Sequence, residues 1–78
     1  MSNISNKTLI QYLKEGKIHK FNESRPPTIS LFGEDLSGLQ LQNVDFAQCD
    51  LSKCDFSDSD LSKANFFQTK CNGADFSS

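Results

Sequence analysis

The chain has 78 residues, a formal net charge of −2 and 36% hydrophobic residues, which is enough for one small domain near the lower limit for a self-sufficient core. No apolar run approaches the length of about 18 residues that a membrane-spanning helix needs. We expect no signal peptide, because no charged and then apolar stretch opens the sequence. Three cysteines, an odd count, then favour a reducing, cytoplasmic location.

Residues 1–28 predict a capping helix followed by an extended lead-in. Leu9, Ile10 and Leu13 form one apolar stripe at helical spacing within residues 6–15. We expect this helix to cover one end of the segment that follows, and the alternative is a helix offered to another protein. Pro26 and Pro27 favour an extended path for the rest of the segment.

Residues 29–78 consist of ten consecutive five-residue units. Nine of the twelve Leu and Phe residues in this segment lie on one register with a period of five, and only Cys71 interrupts it. A helix would space its apolar residues 3 and 4 apart, and a strand would space them 2 apart. A period of five instead predicts a chain that turns a corner in every unit and directs one large side chain inward. These ten positions are Leu31, Leu36, Leu41, Phe46, Leu51, Phe56, Leu61, Phe66, Cys71 and Phe76.

The other positions of the unit agree with this pattern. The residue two places before the Leu or Phe is apolar or small in nine units, and Asp or Asn directly precedes it in seven. The two following positions favour residues that tolerate turns and solvent. Each unit is therefore read as inward, outward, inward and then a two-residue corner.

These units resemble the pentapeptide-repeat family, whose unit is Ala, Asp or Asn, Leu or Phe, and two variable residues. The units at 64–68 (ANFFQ) and 74–78 (ADFSS) match it closely. The resemblance implies an all-β solenoid, a right-handed quadrilateral β-helix, over residues 29–78, with about two and a half coils. Glu34 at an inward position and Cys71 in place of Leu or Phe depart from the family pattern.

No catalytic or metal-binding constellation is found. His19 is the only histidine and lies in the lead-in, so no triad is assembled around it. Cys49, Cys54 and Cys71 fall on inward positions, where cysteine packs as a small apolar residue. We expect no enzyme activity, no cofactor and no metal.

The repeat segment carries a net charge of −5 and residues 1–28 carry +3. A twenty-residue coil stacks Asp35, Asp55 and Asp75 in one column of unpaired carboxylates. Such a column has two interpretations. In the first, Asp is simply the family's usual residue before the Leu or Phe. In the second, the column docks on a basic groove. The candidate acidic face consists of Asp35, Asp55, Asp75, Asp58, Asp45 and Asp60.

Two aromatic residues fall on outward positions, and the last coil ends without a cover. We expect the helix to cover Phe32, and we expect Phe67 to be a solvent-exposed candidate for partner binding. Phe66, Cys71 and Phe76 lie at the open C-terminal end, which predicts a homodimer through that end.

Two function classes follow from these features. The first is a non-catalytic protein whose acidic face docks on a protein partner as a DNA-mimic inhibitor of a topoisomerase, nuclease or CRISPR-type complex. For this class the resemblance supplies a precedent, since quinolone-resistance members of the family resemble a DNA duplex and engage DNA gyrase. The second is a structural or scaffold module that assembles through the helix and the open C-terminal end. Direct nucleic-acid binding is disfavoured by the acidic face, and no membrane partner is expected.

Overall fold

The computed structural model describes residues 5–77, which form two short helices followed by a β-helix solenoid. Helix α1 spans Asn6–Lys14 and helix α2 spans Ile18–Ser24. Strands β1 (Ile29–Ser30) and β2 (Cys49–Asp50) pair in parallel. Within the described range, neither helix has the length and apolar character that crossing a membrane requires.

Helix α1 begins and ends with the expected local signals. The hydroxyl of Ser5 accepts a hydrogen bond from the backbone amide of Thr8 at 3.3 Å, which satisfies one of the free amides of the first turn. Gly16 adopts φ +74° just beyond the last turn, a conformation that favours glycine. Leu9 and Leu13 are fully buried on one face, as the apolar stripe predicts.

Helix α2 corrects the prediction of an extended lead-in. Residues 18–24 are helical, and Phe21 is fully buried. The extended path begins only at Arg25, at φ −69° and ψ 144°, because a proline ring disfavours the helical conformation of the residue before it. The two prolines therefore end the helix and do not prevent it further upstream.

The solenoid is built from parallel pairing at a constant offset of twenty residues. Ile29 lies opposite Cys49 in the strand pair. Between the coils, the amide of an inward residue donates to the carbonyl of the coil below, as from Leu36 to Asp55 at 2.8 Å. An offset of twenty residues corresponds to four five-residue units. Further parallel bridges join Asp35 to Asp55, Gln40 to Asp60, Asp45 to Asn65, Asp50 to Lys70 and Asp55 to Asp75.

These bridges group the five-residue units, each with its own corner residues, into four faces. We name them face A (residues 34–38, 54–58 and 74–77), face B (39–43 and 59–63), face C (44–48 and 64–68) and face D (29–33, 49–53 and 69–73).

The corners are tight turns with a left-handed residue. A hydrogen bond from the amide of Val44 to the carbonyl of Leu41, at 3.2 Å, closes one such turn. The third residue of each turn has positive φ, which is the signature of type II turns and favours Gly or Asn. Gly33, Gly38 and Gly73 meet this need without strain. Six corners use other residues, namely Asn43, Gln48, Lys53, Asp58, Lys63 and Gln68.

One buried cluster joins the helices to the solenoid. Leu9, Leu13 and Phe21 are fully buried in the same cluster as the inward residues of the first coils. Phe46 lies at the centre of the aromatic contacts and packs against three other rings. The inward solenoid members of the cluster are Ile29, Leu31, Leu36, Leu41, Val44, Phe46, Cys49, Leu51, Cys54 and Phe56.

Candidate functional site

The predicted aspartate column lies on face A. Asp35 bridges to Asp55, and Asp55 bridges to Asp75, so the three residues stack in register along the solenoid. Asp58 lies at the corner that follows, and Asp60 lies on face B. We call these five aspartates the acidic surface.

The negative charge of the solenoid is concentrated on two adjacent faces. Faces A and B together contain six acidic residues and one lysine, a net charge of −5. Faces C and D contain two acidic residues and two lysines, which cancel. The acidic surface therefore accounts for nearly all of the solenoid's uncompensated charge.

The stacked carboxylates also have a structural role that the sequence interpretation missed. Oδ1 of Asp35 accepts hydrogen bonds from the amide and the hydroxyl of Ser37, at 3.1 and 2.6 Å. Asp55 and Ser57 repeat this pair at 2.9 and 2.7 Å. Each aspartate thus holds its own corner in an Asx turn, and the description of this column as unpaired is wrong for Oδ1.

The second oxygen of these carboxylates faces solvent. In residues 5–77, Oδ2 of Asp35, Asp55 and Asp75 accepts no protein hydrogen bond. The pKa of Asp35 is lowered mainly by the hydrogen bonds from Ser37, and the pKa of Asp75 by those from Ser77. Asp35 and Asp75 are therefore ionised at neutral pH. Each residue of the column presents one free oxygen to a partner.

Asp45 does not join the acidic surface. It lies on face C, and its carboxylate is 3.6 Å from the guanidinium of Arg25. The same carboxylate accepts a hydrogen bond from the amide of Ala47 at 3.1 Å. Because Arg25 compensates its charge, Asp45 is removed from the predicted acidic face.

The two outward aromatic residues are both exposed. Phe67 is 63% exposed, as predicted. Phe32 is 59% exposed, so the prediction that the helix covers it is wrong. Phe32 is the second residue of a corner turn and points away from the core, whereas the helices bury their apolar residues in the core itself.

The C-terminal end of the described solenoid is only partly covered. Phe66 and Cys71 are half-buried and pack against the core cluster. Phe76 is 47% exposed and stacks on Phe56, with ring centroids 5.2 Å apart. The three residues predicted for a dimer end thus lie together on the last coil and leave apolar surface at that end.

The cysteines have the properties of core residues. All three thiols are free, and burial raises the pKa of Cys49 to about 11. The thiol of Cys54 donates to the carbonyl of Leu31 at 2.8 Å, and burial raises its pKa as well. Such thiols stay protonated at neutral pH and are poor nucleophiles. The cytoplasmic location stays a prediction.

Outside the acidic surface, the titratable side chains of the described residues do not form a common site. His19 is exposed and lies 2.9 Å from Glu23, one helical turn away. Among residues 5–77, no cluster of His, Cys, Asp and Glu has the arrangement of a metal site.

Polar residues that were not predicted from the sequence fix the helical segment to the first coil. Arg25 donates to the carbonyl of Asp45 at 2.8 Å, and Asn22 accepts from the amide of Asp45 at 2.8 Å. The repeat register contained a signal for Arg25, because it precedes Asp45 by one twenty-residue period at the outward position. Asn22 has no comparable signal in the sequence.

Comparison with known proteins agrees with this geometry. Residues 35–68 match the family profile for pentapeptide repeats, with 8 copies. Comparisons with curated proteins and with solved structures gave no match. Proteins of this family generally have structural or protein-interaction roles and are generally non-catalytic. The five-residue period, the twenty-residue bridges and the family match together show that residues 35–68 of this chain are pentapeptide repeats.

Proposed function

We propose that this protein is a non-catalytic binding protein whose acidic surface docks on a basic groove of a protein partner. The partner class is a nucleic-acid-binding enzyme or complex, such as a topoisomerase, a nuclease or a CRISPR-type complex, which the protein inhibits as a partial DNA mimic. The family match supports the coarser part of this proposal, a protein-interaction or structural role.

The observation that carries the proposal is the segregation of charge. Faces A and B together hold a net charge of −5, whereas the charges of faces C and D sum to zero. Successive coils lie about 4.8 Å apart, whereas duplex DNA presents one charge per about 1.7 Å of axis. The aspartate column is therefore sparser than a DNA backbone, and the mimicry is partial.

We further propose that the scaffold is a right-handed quadrilateral β-helix of about two and a half coils with α1 as its cap. Parallel bridges at an offset of twenty residues support the four-sided coil. The complete burial of Leu9 and Leu13 in the solenoid's own cluster supports the cap.

Neutralising the column is expected to abolish partner binding without disturbing the fold. Asp35→Asn/Asp55→Asn/Asp75→Asn removes three charges and keeps an Oδ1 acceptor for each corner, as Asn65 already does for the amide of Phe67 at 3.0 Å. We expect binding to a purified partner from the three classes to weaken by roughly ten-fold or more, and to weaken with added salt. The dissociation constant and its competition by duplex DNA would be measured by biolayer interferometry.

The chain offers a matched control for this experiment. Asp50→Asn on face D, outside the acidic surface, and Asp55→Asn on face A each remove one charge from an aspartate that accepts a hydrogen bond from the amide two residues on. Only Asp55→Asn should weaken binding. Equal affinities for the wild type and the triple variant, or binding that duplex DNA does not compete with, would contradict the proposal.

The second candidate function is a structural module that assembles through its C-terminal end and its helix. The exposed ring of Phe76 on the last coil favours this candidate. A homodimer is expected in sedimentation velocity at micromolar concentrations, and Phe76→Asp is expected to give a monomer because it places a charge in the apolar contact. Phe67→Asp, at an outward-facing ring that is 63% exposed, should leave the dimer intact. A monomeric wild type would exclude this mode of assembly.

A further inference from the structure

The first coil has an edge that faces away from the second coil, and side chains from the helical segment close it on two faces. On face D, the side-chain amide of Asn6 donates to the carbonyl of Ser30 at 2.8 Å. On face C, Arg25 donates to the carbonyl of Asp45 and Asn22 accepts from its amide, both at 2.8 Å. We call this edge the N-terminal edge.

These side-chain bonds reproduce the backbone bonds that occur one coil lower. Asp50, twenty residues after Ser30, accepts from the amide of Leu31 at 2.9 Å. Asn65, twenty residues after Asp45, donates to Val44 and accepts from Phe46, both at 2.9 Å. The three side chains thus occupy the positions at which the backbone of another coil would pair.

Arg25 is firmly held in this position. Its side chain is only 6% exposed. Its guanidinium also donates to the carbonyl of Pro27 at 2.8 Å and lies 3.6 Å from the carboxylate of Asp45. Because these partners come from both the lead-in and the solenoid, the contact fixes the helical segment over the first coil.

The opposite edge presents the complementary groups. The amides of Leu41, Phe46 and Leu51 donate to the coil below, as Leu41 does to Asp60 at 2.8 Å. Within the described residues, the amides of Leu61, Phe66 and Cys71 find no acceptor. Such a row of free backbone groups is a template for pairing with another chain.

We propose that Asn6, Asn22 and Arg25 form a stop that prevents a second copy of this chain from stacking its C-terminal edge onto the first coil. The two edges differ, so their contact is heterologous and a translation along the solenoid axis never closes it. Without the stop, copies add end to end by the same twenty-residue pairing that joins the coils. The stop leaves the C-terminal end free for a closed pair, and it acts independently of any partner of the acidic surface.

The test is Asn22→Ala/Arg25→Ala in the full chain, studied by light scattering coupled to size-exclusion chromatography, with circular dichroism to follow the fold. We expect native-like dichroism and a mean mass that rises with protein concentration by roughly ten-fold or more, since nothing closes the assembly. Adding Phe76→Lys, which places a charge on the C-terminal end, is expected to abolish this growth and to give the mass of Phe76→Lys alone.

Leu13→Ala serves as the control, because it removes buried apolar contacts but leaves all three edge side chains in place. It should keep the wild-type mass. An unchanged mass for Asn22→Ala/Arg25→Ala, equal growth for Leu13→Ala, or growth that Phe76→Lys does not suppress would each overturn the proposal. If the double variant loses native dichroism, Asn22→Ala alone, which removes only the bonds of one side chain, is judged by the same criteria.

Discussion

Phe46→Ala is expected to lower the free energy of unfolding by about 3–5 kcal/mol, the usual cost of deleting a buried phenylalanine ring. Phe46 is fully buried and packs against Phe21, Phe56 and Phe66, with centroid distances of 5.7, 5.7 and 6.1 Å. A chain of 78 residues has a total stability of only about 4–12 kcal/mol. The variant should therefore lose a large share of its total stability, which urea denaturation followed by circular dichroism would measure.

Two other substitutions distinguish the cost of losing buried packing from the cost of losing an aromatic ring at any position. Phe46→Leu keeps the apolar residue that the repeat accepts at this position, and it should cost less than about 1.5 kcal/mol. Phe67→Ala removes a ring that is 63% exposed, and its effect should stay within about 0.5 kcal/mol. If Phe46→Ala cost no more than Phe67→Ala, the aromatic centre assigned to Phe46 would be wrong.

Leu13→Ala is expected to have the next largest effect, a loss of about 2–5 kcal/mol. Leu13 lies in helix α1 yet is fully buried in the cluster that contains the solenoid core. Removing its side chain leaves a cavity between the helix and the first coil. Denaturation should remain one cooperative transition at a lower urea midpoint, because helix and solenoid share this cluster.

Lys14→Ala is the matched control for this position, since Lys14 is the next residue of the same helix and is exposed. Its effect should stay within about 0.5 kcal/mol. If the apolar face of the helix instead bound another protein, Leu13→Ala would not lower the stability of the isolated chain. A wild-type midpoint for Leu13→Ala would therefore favour that alternative over the cap.

The solenoid could be predicted in detail because each unit repeats the same residue pattern. The inward position is marked by Leu or Phe, the outward position before it by Asp or Asn, and the corner by turn-forming residues. A period of five has no solution as a helix or a flat strand, so the pattern predicted a chain that turns a corner in every unit. The β-helix architecture was implied by the resemblance to the pentapeptide-repeat family. The bridges between Asp35, Asp55 and Asp75 confirm that register.

The helical segment was predicted less well because nothing in it repeats. Helix α2 contains a single buried residue, Phe21, which is too little periodicity to distinguish a short helix from an extended chain. Proline exerts its steric effect on the one residue before it, so Pro26 gave no information about the backbone conformation of residues 18–24. The exposure of Phe32 depends on where the helices lie over the coil, which is decided by tertiary packing.

For the acidic surface, the sequence gives positions but not hydrogen-bond partners. The column on face A follows from the period of five together with the twenty-residue coil that the family resemblance implies. That Asp45 is compensated depends on the path of the chain at Arg25, which brings a guanidinium within 3.6 Å of its carboxylate. The bonds from Ser37 and Ser57 to the column were within reach of sequence reasoning, because an aspartate two residues before a serine is a common Asx turn.

The period of five and the constant offset of twenty residues limit how such a chain can change its length. Insertion or deletion of a single residue moves every later apolar side chain off the inward position and destroys the fold downstream. A five-residue duplication keeps the core but rotates all later surface residues to the next face, so that a column of like charge is split. Only a twenty-residue duplication lengthens the protein and preserves its surface pattern.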